Sequence, residues 1–270
     1  MGKSKGILYF IVASKRAVVA AVSLCALRKV YDGPVHIATS TFSDWHKIAH
    51  QIVADKRLNL TCSDVPIVQV RRHAVHTSKT WLHRYTPFDS TLFLDADTIP
   101  VGDFDEVWPV GDEMVLTQFS NWYSCGQRIK NRIHWWDGVR PDLVKPAIDG
   151  AYAAVNTGVL GFTRNTVMLE PWHQLTVEGA KTFIPDEIAA QLIYFKYEHR
   201  LLDDRFNCSP QFGANKNDAR IWHCHGGKHL HPTTAPLWTH TLQECWRKNI
   251  GHIQSWMTQQ ERERYAKCIS

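Results

Sequence analysis

Apolar residues fall along this chain in short blocks broken by charged or turn-forming positions, and block length separates strands from helices. The run ILYFIVA at 7–13 has the length and unbroken hydrophobicity of a strand buried on both faces. The Ala-, Val- and Leu-rich stretch from Lys15 to Val30 has helical length, and Gly33-Pro34 ends it. VHIAT at 35–39 predicts a second strand, DWHKIAHQIVADKR at 44–57 an amphipathic helix, and PIVQVR at 66–71 a third strand. A helix near 79–86 and the strand TLFL at 91–94 follow. Strands alternating with helices predict right-handed β-α-β units, hence an α/β fold with a mainly parallel open sheet flanked by helices.

The second half is less regular. EMVLTQF at 113–119 predicts a strand, NWYSCGQRIKNRIHWWDGVRPD at 121–142 a loop, and AYAAVNTGVLGF at 151–162 a strand pair around Asn156. Helices are expected near 166–178 and 186–197, and ARIWHCH at 219–225 as one more short strand. Leu242, Trp246, Ile250, Ile253 and Met257 then recur at helical spacing, a buried stripe with Gly251 as a kink.

Composition narrows this picture little. At 270 residues, 44% hydrophobic and 21% charged, with no linker or repeat, one domain is expected. A net charge of +5 is too weak and dispersed to argue for nucleic acid. Seven cysteines without a CxxC pair suggest neither a disulfide framework nor a zinc ribbon, and fit a reducing compartment. The first apolar run stops at Lys15 and Arg16, too short for a membrane span. After Met1-Gly2, Gly6 stands where myristoylation would want Ser or Thr. These features predict a soluble, cytoplasmic protein.

The chemistry concentrates at LFLDADTIP, 92–100, where two carboxylates follow an apolar strand directly. Ligands of open α/β sheets bind beyond the carboxyl ends of the strands, so Asp95 and Asp97 belong at the ligand edge. Alternate residues of an extended segment face opposite ways, so both acids reach one ion only if the chain turns there; Pro100 and Gly102 would permit it. Oxygen ligands suit Mg²⁺ or Mn²⁺, and an imidazole tilts the choice to Mn²⁺. HCHGG at 223–227 offers the imidazole, two glycines for close backbone approach, and Lys228 next in line. Such a set describes a diphosphate site in which a cation neutralises the leaving group. The plainer alternatives are a turn or helix cap for the acidic pair, a zinc fragment of HCH with Cys208 or Cys245, and a tight turn at Asn156-Thr157-Gly158. Most tryptophans belong to the core; Trp122, Trp135 and Trp136, in the loop, are candidates for stacking on a sugar.

In TSKTWLHRYTPFDSTLFLDADTIPVGDFDEVW, NTGVLGF, PDE at 185–187 and ARIWHCHGG, the chain resembles glycosyltransferase family 8, the glycogenin-like enzymes with a GT-A fold. The segments run in the family's order over roughly residues 7–230. Lys79 stands sixteen positions before Asp95, the interval of that family's phosphate-binding lysine. The resemblance implies a single Rossmann-like domain: a nucleotide-binding half at 1–100, an acceptor and metal-completing half at 101–238, and a helical segment at 239–270. It implies transfer of a sugar from a nucleotide donor, a UDP-sugar, with retention of configuration and Mn²⁺ as metal. Asp95, Asp97 and His223 would hold the ion, the Ala96 backbone would meet the ribose, and Val12 and Ser14 would face the base. Lys79 and Gly226 would contact donor phosphates or sugar, and Asn156 and Asp186 would lie by the transferred sugar, Asp186 assisting the sugar or acceptor. Glu187 takes the position of a family glutamine.

The departures matter. HFxGxxKPW becomes HCHGGKHLHP, so His229 holds the expected lysine position and Lys228 comes one residue early. Val18 replaces an aromatic that stacks on the base, and Phe183 replaces an acidic residue three positions before Asp186. No counterpart of a self-glucosylating tyrosine region is recognisable. The acceptor is open: a glycan, a protein, a small molecule or nucleic acid, the last suggested by Arg128, Lys130 and Arg132 in CGQRIKNRIHWW. A haloacid-dehalogenase-type phosphatase is the rival from another class, since LFLDAD mimics its nucleophile strand, but Ile99 stands where its threonine belongs. A non-catalytic sugar-nucleotide binding module is the third reading.

Overall fold

The computed structural model describes residues 4–11, 17–40, 45–65, 74–119, 133, 136–138, 140–150 and 152–270. Strands β1 (Lys5–Ile11), β2 (Val35–Thr39), β3 (Leu60–Asp64), β4 (Ser90–Leu94), β5 (Thr98–Pro100), β6 (Met114–Gln118), β7 (Val155–Thr163), β8 (His199–Leu202) and β9 (Ile221–His223) form two sheets among these residues. The larger runs β3-β2-β1-β4-β7-β6-β8. Its first four strands are mutually parallel, β7 is antiparallel to both β4 and β6, and β8 is parallel to β6. This is the mixed, mainly parallel α/β sheet that the strand-helix alternation predicts.

The helices are α1 (Ala17–Leu27), α2 (Trp45–Ala54), α3 (Ala74–Lys79), α4 (Leu82–Tyr85), α5 (Pro141–Asp149), α6 (Leu169–Glu178), α7 (Pro185–Ile193) and α8 (Ala235–Arg247), then the short α9 (Ile253–Trp256), α10 (Gln259–Arg264) and α11 (Ala266–Ile269). None is long and apolar enough to cross a membrane. Helix α1 is apolar all round because every residue in it is buried, between the sheet and α8. Cys245 of α8 sits against the Ala21 carbonyl, so the C-terminal segment closes one face of the sheet. A second apolar cluster, centred on Phe93, Phe162 and Trp172, fills the other face. Burying an aromatic of this size stabilises the fold by about 2–3 kcal/mol.

Three expectations are corrected, and one more lies outside the described residues. The third strand lies at Leu60–Asp64, whereas 66–71 falls outside the described residues. LTCSD carries little apolar signal because β3 is an edge strand with largely exposed positions. The chain at 155–163 is one strand rather than a pair: Asn156 sits within β7, whose register against β6 jumps from Leu116↔Leu160 to Thr117↔Asn156. Residues 157–159 are the extra length of that bulge. The turn after β4 falls at Asp95–Thr98, closed by the Thr98 amide and hydroxyl donating to the Asp95 carbonyl, so Pro100 lies in β5 instead. The C-terminal stripe is broken rather than kinked, since Asn249, Gly251 and His252 all adopt left-handed backbone.

Candidate active site

Beyond the carboxyl ends of β1 and β4 lies a cleft of about 280 Å³, lined by Phe10 and Ile11 from β1, by Asp95 to Asp97, by His76 and Lys79 of α3, and by groups from β7, α7 and β9. Its position is the one an open α/β sheet reserves for ligands. Two short strands complete it. Antiparallel pairing of β5 with β9 sets Thr98 opposite His223, and the Cys224 amide donates to the Asp97 carbonyl. A residue 126 positions beyond Asp97 in sequence, His223, is thereby held beside the acids.

The three predicted ligands converge. His223 Nε2 lies 3.3 Å from Asp97 Oδ1 and 3.7 Å from Asp95 Oδ2. Asp97 and His223 are about 5% and 4% exposed. The ring's other nitrogen, Nδ1, lies 2.8 Å from Asn207 Oδ1. Asn207 spends its amide hydrogens on Thr117 Oγ1 at 2.7 Å and Asn156 Oδ1 at 3.0 Å, which turns its oxygen to the ring. This network fits Nδ1–H donating to Asn207, which makes Nε2 the nitrogen that faces the two carboxylates. Two carboxylates and an imidazole nitrogen aimed at one point are a donor set that a divalent cation could share. The two carboxylates and imidazole fit Mn²⁺ or Mg²⁺, and neither Cys208 nor Cys245 belongs to the cluster.

Lys79 faces this group from α3. Its Nζ lies 3.1 Å from Asp95 Oδ1, 3.3 Å from Asp186 Oδ2 and 3.2 Å from Thr157 Oγ1. Burial works against the ammonium charge, but Asp95 and Asp186 outweigh it and raise its pKa. Asp186 stands at the first turn of α7, with His76 Nδ1 2.6 Å from Oδ1 and the Thr157 hydroxyl donating to Oδ2 at 3.0 Å. Burial opposes its ionisation, yet His76 and Lys79 hold the carboxyl well below the usual carboxylate range. The preceding Ile184 has left-handed backbone, φ +52°, a strained conformation for a β-branched residue that lines the cleft. Asn156 Nδ2 donates to Glu187 Oε2 at 3.0 Å, and both side chains line the cleft.

Other expected residues divide. Ala96 and Gly226 line the cleft; Gly226 and Gly227 have φ +66° and +83°, so glycine is the residue that this turn favours. Lys228 lies beside His225, Nζ to Nδ1 3.5 Å, and His225 lines the cleft. His229 is instead buried against Trp238 and Tyr265. Val18 is buried in α1, and Phe183 is exposed. Trp136 packs over Gly179 and is absent from the cleft wall. Val12, Ser14, Trp122, Trp135 and the basic residues Arg128, Lys130 and Arg132 lie outside the described residues. Sequence reasoning passed over His76, Thr157 and Asn207, whose roles arise only from tertiary neighbours; the lone signal for Thr157 was its place in the NTG motif.

No protein-family model matches this sequence, and no curated protein matches it either. Solved structures do. The bifunctional glycosyltransferase WbbM, in its apo form, is similar over 100% of this chain with a TM-score of 0.63 and 11% identity. This chain spans 52% of WbbM, about half its length. The galactosyltransferase LgtC, in complex with donor and acceptor sugar analogues, is similar over 88% of this chain and 95% of its own, with a TM-score of 0.61 and 13% identity. The glycosyltransferase GlyE of Streptococcus pneumoniae TIGR4 gives 0.55 and 13%, over 92% of this chain and 64% of its own. The chain therefore has the GT-A fold of these glycosyltransferases.

Proposed function

We propose that this protein is a metal-dependent, retaining glycosyltransferase that moves a sugar from a nucleotide-sugar, a UDP-sugar, to an acceptor hydroxyl. The observation that carries this reading is His223 Nε2 aimed at Asp95 and Asp97, with Lys79 beside Asp95, at the sheet edge where α/β proteins bind ligands. Asp95, Asp97 and His223 hold a divalent ion, Mn²⁺ in preference to Mg²⁺. Held by these three residues, such an ion would supply positive charge to a departing diphosphate.

The remaining roles belong to the chain's own groups. Lys79, released in part from Asp95 when the donor enters, supplies a fixed positive charge to the phosphates, joined by the Gly226 backbone and Lys228. The Ala96 backbone meets the ribose, and the base is assigned to Val12 and Ser14, which lie outside the described residues. Asn156 and Glu187 share a hydrogen bond at the cleft wall and orient the transferred sugar. The oxygens of Asp186 already accept from His76 and Thr157 and pair with Lys79, which favours a role in placing Lys79 over direct attack on the sugar. Among solved structures similar to this chain is an active-site mutant of LgtC in which glutamine is replaced by glutamate. Glu187, in the position of that family's glutamine, lines the cleft beside Asn156, which supports a role in binding the donor sugar.

The test is a screen of nucleotide-sugars for release of nucleoside diphosphate with Mn²⁺ present. Turnover of a UDP-sugar is expected, lost in chelator and restored by Mn²⁺ more than by Mg²⁺. Asp97→Ala is expected to abolish it while the protein stays folded. Full activity in chelator would sink the metal assignment, and hydrolysis of p-nitrophenyl phosphate without sugar-nucleotide turnover would favour the phosphatase reading.

A further inference from the structure

At the β3 edge of the sheet, two strands from β1, a second set of side chains able to ligate a metal comes together. His46 and His50 lie four residues apart on α2 and so share one face of that helix. Opposite them runs β3, whose alternation sorts its side chains cleanly. Thr61 and Ser63 turn to the far face, where they grip the two ring nitrogens of His36 at 2.7 and 2.8 Å. Cys62 and Asp64 turn the other way, toward α2. Asp64 Oδ1 lies 2.7 Å from His46 Nδ1, and Cys62 Sγ lies 3.7 Å from His50 Nδ1. The two imidazoles meet edge to face with ring centroids 4.4 Å apart. Donor atoms of His46, His50 and Asp64 all fall within 4.8 Å of one another.

We propose that His46, His50 and Asp64 form a transition-metal site, suited to Zn²⁺, that clips α2 to the edge strand, with Cys62, which touches His50 but stands outside the three-residue cluster, turning in as the fourth ligand. Two imidazoles, a carboxylate and a thiolate are a tetrahedral zinc set. Ligand atoms about 2.0–2.3 Å from a tetrahedral ion stand about 3.3–3.6 Å apart. The Cys62 to His50 separation of 3.7 Å is close to that edge, and the His46 to Asp64 hydrogen bond opens slightly to admit the ion. Binding takes the Cys62 thiol to thiolate and releases its proton to water; no electron transfer is involved. Without metal the cluster reduces to an exposed His-Asp pair, an interaction worth little. The catalytic cleft has no thiol among its ligands, so the two sites differ in what they bind and how they report it.

Metal-stripped full-length protein titrated with Co²⁺ tests the site. Expected are a visible d–d band of tetrahedral intensity and a near-ultraviolet thiolate-to-cobalt band saturating at one equivalent, both bleached by Zn²⁺. Cys62→Ser removes the thiolate band, and His50→Ala weakens Co²⁺ binding at this site at least tenfold. Zn²⁺ raises the Tm of the unaltered protein more than that of His50→Ala, in which only the cleft site is left to bind it. Absence of the thiolate band, or its persistence in Cys62→Ser, overturns the proposal.

Discussion

Asn207 Oδ1 lies 2.8 Å from His223 Nδ1, and that contact decides which nitrogen of the imidazole faces Asp95 and Asp97. A histidine whose proton is held on one side by an amide oxygen presents a lone pair on the other. Replacing Asn207 with leucine frees the ring to choose its tautomer and orientation. Mn²⁺ affinity is expected to fall about 10–100-fold. Electron paramagnetic resonance titration of free Mn²⁺ reads this directly, and an unchanged Kd would show that Asn207 does not orient the ligand.

Gly158 leaves room for the same ring. A Cβ at that position would lie 2.2 Å from His223 Cε1 and 2.6 Å from Nδ1. Gly158→Ala is therefore expected to push the imidazole off the acids, lower Mn²⁺ affinity, and cost about 1–3 kcal/mol of stability through overpacking. Chemical unfolding and Mn²⁺ titration on one preparation check both effects.

Much of this site was legible in the order of residues. The acidic pair follows the apolar run of β4, and in α/β sheets a strand's carboxyl end is a ligand edge. His223 carried a weaker signal, because only its pairing across β5 and β9, not its position in sequence, sets it beside the acids. The edge strand β3 was missed for a physical reason: with polar or exposed residues at most positions it lacks the apolar run that marks interior strands. The bulge in β7 was read as a turn because Asn-Thr-Gly has turn chemistry; pairing on both sides, with β4 and with β6, keeps the strand continuous through it. His76 and Asn207 could not be found by any local rule, since their partners, Asp186 and His223, lie 110 and 16 residues away.

Lys79 is about 7% exposed and pairs with Asp186, itself about 3% exposed. Removing Lys79 leaves buried Asp186 with His76 as its remaining charged partner and takes from Asp95 its lysine. Lys79→Ala is expected to destabilise the metal-free protein by about 3–5 kcal/mol and to eliminate donor turnover. Lys79→Arg keeps the charge and should recover most of the stability, but little of the turnover, because a guanidinium cannot take the ammonium's place among three acceptors. Urea unfolding separates these outcomes, and equal loss of stability in both variants would contradict the ion-pair account.

The His76–Asp186 pair sets a pH window. Asp186 raises the pKa of His76 above 6.5, so the stability this group contributes is complete below pH 6.5 and fades as pH rises through the raised folded value. For Asp186 the folded pKa is lowered from 3.8, so its contribution is complete above the unfolded value and fades as pH falls through the lowered one. Between pH 3.8 and 6.5 the pair stabilises most. Thermal unfolding of metal-free protein across this range should show His76→Gln less stable than the unaltered chain inside the window, and the difference shrinking on the alkaline side.

A metal ion shared by two strand-end acids and a distant imidazole is the idea that all of these experiments approach, and diffraction can locate it. Crystals grown with Mn²⁺ and a nucleoside diphosphate, measured at the manganese absorption edge, should give an anomalous peak within bonding distance of Asp95, Asp97 and His223 Nε2. A peak held by other residues, or none there while chelator-sensitive turnover persists in solution, would contradict the account.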